Sequence, residues 1–203
     1  MLGANAKPLE ERLFARPAGF LVRRGVHPNA VTIAGTALMC ALALTLFPLG
    51  QLWPGALALG LVATTDALDG TMARLSGSSS SFGAFLDSTL DRVSDAAVLA
   101  GLTIYLARQG HPWGVVAGAA AVGAGGIVPY ARARAEALGY QAAVGIAERG
   151  DRLAVALLGA LLTGLGLPWW VLGGALGLVA AASLATVAQR ARAVYRQARE
   201  AGR

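Results

Sequence analysis

The sequence is short of the residues that keep proteins dissolved in water. Only 14% of its 203 residues are Asp, Glu, Lys or Arg, against about 25% in an ordinary soluble domain. It has one cysteine, Cys40, so no disulfide can form within the chain. The position of Cys40 in an apolar run reads as small-residue packing. The two histidines, His27 and His111, are isolated at expected membrane interfaces, and neither is expected to take part in catalysis. The residues before position 30 include Lys7, Glu10, Glu11, Arg12, Arg16, Arg23 and Arg24. They form no continuous apolar stretch, so no cleaved signal peptide is expected. There is also no internal repeat, low-complexity tail or second domain.

What remains is apolar: 56% of residues are hydrophobic, and mean hydropathy is +0.58. Glycine and alanine are spread through the apolar runs, as in membrane helices that pack closely through small residues. A span needs roughly 20 apolar residues. Six windows qualify, at 30–49, 54–75, 82–107, 113–137, 151–167 and 169–190. Residues 6–25 alternate apolar and charged positions at helical spacing, the pattern of a helix lying on a membrane surface. The expected fold is therefore an all-α integral membrane protein. Six transmembrane helices follow an amphipathic interfacial helix, with a juxtamembrane segment at 1–28 and the transmembrane domain at 29–203.

Charge placement sets the expected orientation. Basic residues collect in the amino-terminal segment, at Arg74, at Arg132, Arg134, Arg149 and Arg152, and in the tail from Arg190 to Arg203. The intervening connections hold only Arg108. By the positive-inside rule both termini are cytoplasmic, in a plasma membrane. Trp53, Trp113, Trp169 and Trp170 fall at the opposite, external ends, where an interfacial aromatic belt belongs. The net charge of +6 is then a topological charge that meets anionic headgroups, not a nucleic-acid footprint.

Against this background the aspartates stand out. Five of six lie between positions 66 and 95. They form Asp66-x-x-Asp69-Gly70-x-x-Ala73-Arg74, then eight residues, then Gly83-x-x-x-Asp87-x-x-x-Asp91, with Asp95 one helical turn later. Ionisable groups in or near hydrocarbon are costly and mark function by default. Asp66 and Asp69 share one helix face, and Asp87, Asp91 and Asp95 another. The short polar link from Leu75 to Ser81 makes the two helices antiparallel neighbours. Carboxylate oxygens alone suit hard cations, Mg²⁺ or Mn²⁺, and four suit two ions about 3.5–4 Å apart. Two such ions at a cytoplasmic membrane edge fit a lipid-linked diphosphate. Gly70 and Gly83 can clear space beside them, and Arg74 can pair with a phosphate or an aspartate. Asp95 reads as a supporting hydrogen-bond acceptor or a partner of Arg92.

The eight fixed positions and their spacer resemble the signature of the CDP-alcohol phosphotransferase family, and the resemblance extends over the whole chain. It implies a homodimeric membrane enzyme that moves a phosphatidyl or similar group from a CDP-linked donor, CDP-diacylglycerol, to an alcohol and releases CMP. It also implies Asp66, Asp69, Asp87 and Asp91 as ligands of two Mg²⁺ or Mn²⁺ ions, with Asp91 also the general base. Gly70, Ala73, Arg74 and Gly83 would form the cytidine pocket. Asn29, Thr32 and Ser80 would lie near the diphosphate, alongside Asp69.

The acceptor is less constrained. Arg132, Arg134 and Arg152 are the candidates for a phosphate on it, since guanidinium forks match phosphate geometry. The segments Tyr130–Glu136, Glu148–Arg152 and Phe85–Arg92 resemble actinobacterial members whose acceptor is myo-inositol 1-phosphate. Two positions depart from that group. Arg132 stands where a lysine is common, and Pro129 where a serine is common. Glycerol 3-phosphate would also engage the arginines, so transfer to it remains the alternative. An intramembrane prenyltransferase would lack the Gly-x-x-Ala-Arg element. A cation or proton transporter would place its charges near mid-membrane.

Overall fold

The computed structural model describes residues 14–78 and 80–202, apart from the side chains of residues 65–67. The expectations that fall on residues 1–13, including the start of the surface helix, lie outside the described residues. So does the side chain of Asp66. Among the described residues the protein is helical throughout, with no strand.

A first helix, α1, covers 14–23. It is followed by α2 (Pro28–Leu46), α3 (Leu52–Ala63), α4 (Thr65–Leu75), α5 (Ser81–Arg108), α6 (Pro112–Ala137), α7 (Arg149–Gly164) and α8 (Trp170–Glu200). Three of these, α2, α6 and α8, are long and apolar enough to cross a membrane. At 28 residues α5 is long enough, but its first fifteen residues include Asp87, Asp91, Arg92 and Asp95. The 16 residues of α7 fall short of the roughly 20 needed to cross straight.

One expected element divides. The apolar window 54–75 is two helices, because α3 ends at Ala63 and α4 begins at Thr65. At the junction the Thr64 hydroxyl donates to the Leu61 carbonyl at 2.7 Å, and the Thr64 amide donates to the same oxygen at 3.1 Å. These i to i−3 bonds tighten the chain out of the α-helical repeat. Hydropathy runs smoothly across this point and gives no sign of it.

The link after α4 is built by its end. The Ser78 amide donates to Ala73 O and the Gly77 amide to Arg74 O, with Gly77 at φ +63°. This is a Schellman end, which needs a residue that tolerates the left-handed region. It turns the chain within six residues from the last residue of α4 to the first of α5.

The described chain divides into two compact units. One holds the described residues up to Leu42 together with Ala58–Ser94, and the other holds Ala43–Leu57 with the residues from Asp95 onward. The division falls inside α2, α3 and α5. In the second unit α8 packs along α6 and α7, burying Leu172, Leu176 and Val179. Small residues set these approaches. A Cβ on Gly159 of α7 would stand 2.6 Å from that of Ala175 on α8. Large apolar side chains such as Leu61, Trp113, Val116 and Leu178 remain exposed, as lipid-facing surfaces do. Each tryptophan stands at or beside the start of a helix, and Trp169 stacks on His111 with ring centroids 4.3 Å apart.

Candidate active site

All of the residues expected to hold metal or nucleotide lie in the first unit, and all of the acceptor arginines lie in the second. The first set is carried by α2, α4, the link after it, and the start of α5.

On α4, Asp69 is buried at 7% relative exposure. The Thr32 hydroxyl of α2 donates to its Oδ2 at 2.6 Å, a short charge-assisted bond. Thr32 can reach because it follows the α2 start by one turn, where its Oγ1 also lies 3.3 Å from Pro28 O. Asp66 precedes Asp69 by three residues on the same helix. Arg74, in the last turn of α4, donates through Nη2 to the Thr71 hydroxyl at 3.2 Å.

Three other expected residues meet at the α5 start. The Ser80 hydroxyl accepts from the Gly83 amide at 3.0 Å. A Cβ on Gly83 would lie 3.2 Å from Ser80 Oγ and 3.3 Å from Asn29 Oδ1. Asn29, Ser80 and Gly83 therefore enclose one spot, where any larger residue than glycine would press on two polar side chains. Gly70 is freer, since its nearest outside atom would be Arg74 Nη1 at 3.8 Å.

Along α5, Asp87 is exposed. Asp91 is about one-sixth exposed and lies 3.5 Å from Arg92 Nη1. Arg92 also donates to the Ser88 carbonyl at 2.5 Å. Among the described side chains, of which Asp66 is not one, no three acidic, histidine or cysteine groups converge on one point. The donor set itself is carboxylate oxygen throughout and fits a hard divalent cation.

The second unit gathers the arginines. Arg152, in the first turn of α7, has a side chain only 9% exposed, with Nη2 3.8 Å from Asp95 Oδ2. Arg149 donates through Nε to Asp95 Oδ1 at 3.1 Å. Asp95 thus accepts from Arg149 and lies beside Arg152, which fits the expected role of supporting hydrogen-bond acceptor rather than that of partner to Arg92. Arg132 pairs with Glu136 one turn later at 2.8 Å, and both side chains are about half exposed. Arg134 is exposed in the last turn of α6.

Sequence reasoning missed Arg190. On α8, its Nε donates to Val144 O at 2.9 Å and its Nη1 to Val128 O. Arg132 and Arg152 are both close enough to repel its charge. In the sequence Arg190 is the first charge after the last apolar run, where a topological charge and a binding one look alike.

These features define a class. The sequence model described as CDP-alcohol phosphatidyltransferase matches residues 25–181, and the chain belongs to that family. Within it, the chain is 46% identical over 181 residues to the phosphatidylinositol phosphate synthase of Mycobacteroides abscessus, covering 87% of this chain and 81% of that one. Two crystal structures of the Mycobacterium tuberculosis phosphatidylinositol phosphate synthase are also similar. The one with CDP-DAG bound has a TM-score of 0.85 at 39% identity, covering 91% of this chain and 94% of that chain. The one in complex with manganese and citrate has a TM-score of 0.83 at 40% identity, covering 89% and 88%.

Proposed function

We propose that this chain is a phosphatidylinositol phosphate synthase. It transfers the phosphatidyl group of CDP-diacylglycerol to myo-inositol 1-phosphate, giving phosphatidylinositol phosphate and CMP. The observation that carries the acceptor assignment is the buried Arg152, tied to Asp95 beside Arg149 and within reach of Arg190. Arg149 and Arg152 share the single Asp95 carboxylate, so the cluster keeps a net positive charge that suits a phosphate on the acceptor better than an uncharged polyol. The names of the relatives at 46% and 39–40% identity support the same acceptor.

The residues divide the work. Asp66, Asp69, Asp87 and Asp91 hold two divalent ions, Mg²⁺ or Mn²⁺. When bound, the ions supply charge neutralisation to the diphosphate and to the departing CMP. Thr32 fixes the Asp69 carboxylate. Asn29, Gly70, Ala73, Arg74, Ser80 and Gly83 bind the nucleotide and diphosphate. Asp91 takes the proton of the acceptor hydroxyl, whose oxygen attacks the lipid-side phosphorus. Arg132, Arg134, Arg152 and Arg190 receive the acceptor's phosphate.

The same reading places six spans in a plasma membrane. The pair α3–α4 counts as one span, and α2, α5, α6, α7 and α8 supply the other five. An interfacial helix includes α1, so the chain divides at 28/29 into juxtamembrane segment and catalytic domain. Both termini and the active site face the cytoplasm, and the enzyme is a homodimer.

The test is CMP release by the purified protein in detergent, with CDP-diacylglycerol, Mg²⁺ and one acceptor at a time. Turnover with inositol 1-phosphate, abolished by chelating the metal and lowered about 10²–10⁴-fold by Asp91→Asn, is the expected result. Turnover with glycerol 3-phosphate alone would overturn the acceptor while keeping the family chemistry.

A further inference from the structure

We propose that Asp95 is the positioning residue of the acceptor-phosphate site, a role that rests on the acceptor reading above. Asp95 lies outside the family signature, one helical turn beyond Asp91. Its two oxygens are divided between two guanidiniums: Oδ1 accepts from Arg149 Nε at 3.1 Å, and Oδ2 lies 3.8 Å from Arg152 Nη2.

Arg149 and Arg152 are three residues apart in the first turn of α7, so they share a face. One carboxylate can therefore orient both forks. That orientation needs a carboxylate for two reasons. Arg152 is almost buried, and the positive charges of Arg149 and Arg190 lie close to it. Without a compensating anion, so many guanidiniums would splay apart or turn to solvent. The α7 start is itself rigid, because Glu148 and Asp151 form a reciprocal capping box there. The backbone beneath the arginines is thus fixed independently, and Asp95 has only the side chains to set. An acceptor phosphate then meets an Arg152 fork that is already oriented, and that pre-organisation is where affinity is gained.

Asp95 touches no substrate, so its removal acts through Arg152. Asp95→Asn keeps the shape and loses the charge. We expect it to raise KM for inositol 1-phosphate about tenfold, as for a lost bond to a charged group. KM for CDP-diacylglycerol stays unchanged. Asp95→Glu restores part of the loss. Asp95→Asn combined with Arg152→Lys costs little more than Arg152→Lys alone, because both act on one fork.

Equal effects on both substrates, or full additivity with Arg152→Lys, would overturn the proposal and leave Asp95 a structural ion pair. If the wild type turns over glycerol 3-phosphate instead, the acceptor identity fails. The same KM comparison on that acceptor then still decides the role of Asp95, since the phosphate is common to both.

Discussion

Thr32 and Asp69 form the most consequential single contact in the first unit. The hydroxyl supplies a directed donor to a buried carboxylate at 2.6 Å, and so holds one expected metal ligand in one orientation. Outer partners of this kind are worth about 10–100-fold in metal affinity. Thr32→Val keeps the volume and removes the donor. The Mg²⁺ concentration for half-maximal CMP release should rise about tenfold and saturating Mg²⁺ should restore turnover. A lower thermal midpoint with an unchanged metal requirement would contradict this. Individual aspartates are legible in the sequence because each carboxylate in an apolar run stands against a large desolvation cost. Their partners are not. Asp95 meets arginines 54 and 57 positions away, and nothing at those positions but the fold selects them over the adjacent Arg92.

Helix contacts in the second unit are made by absence of side chain. A Cβ on Gly118 of α6 would be driven into the Thr103 side chain of α5, whose hydroxyl is already committed to Leu99 O at 2.7 Å. Gly118→Leu should therefore destabilise the protein by about 1–3 kcal/mol or more, read as a lower unfolding midpoint in detergent. Gly123→Leu, with open space at its Cβ position, should leave the midpoint nearly unchanged. Equal effects from the two would show that loss of glycine flexibility, not packing, is what matters. At this scale the sequence announces apolar length well and helix breaks poorly. The division at Thr64 depends on one hydroxyl turning back to Leu61, which composition cannot encode. The glycine-ended turn after α4 is readable, because Gly77 follows the last periodic residues where a left-handed stop belongs.

At the level of the whole molecule, apolar windows and arginine placement are enough to read an all-helical membrane protein, because both follow from bilayer thickness and insertion energetics. The topology they imply has a direct test. In a Cys40→Ala background, Gln51→Cys should react with a membrane-impermeant maleimide added outside intact cells. Ser78→Cys should react only after the cells are opened. Reaction of both from the same side would dismantle the six-span arrangement. The arginine-lined surface was harder to foresee, because a guanidinium placed to orient a protein and one placed to bind phosphate look alike in sequence. Packing adds what the sequence lacks: Arg152 is buried and carries an ion partner.

The connection between α6 and α7 carries no helix, yet α8 grips its backbone at several points. Gln197 both accepts from the Gln141 amide at 2.9 Å and donates to the Gln141 carbonyl at 2.7 Å. The Thr186 hydroxyl accepts from the Ala147 amide at 3.3 Å, and Arg190 holds Val144 O. Solvent deuterium should therefore enter the Gln141 and Ala147 amides on the timescale of α8 opening, not on that of a surface loop. Gln197→Ala should release the first of these amides to fast exchange and leave the second protected. The segment that leads into the arginines of α7 thus inherits its slow clock from helical residues 39 to 56 positions further along the chain.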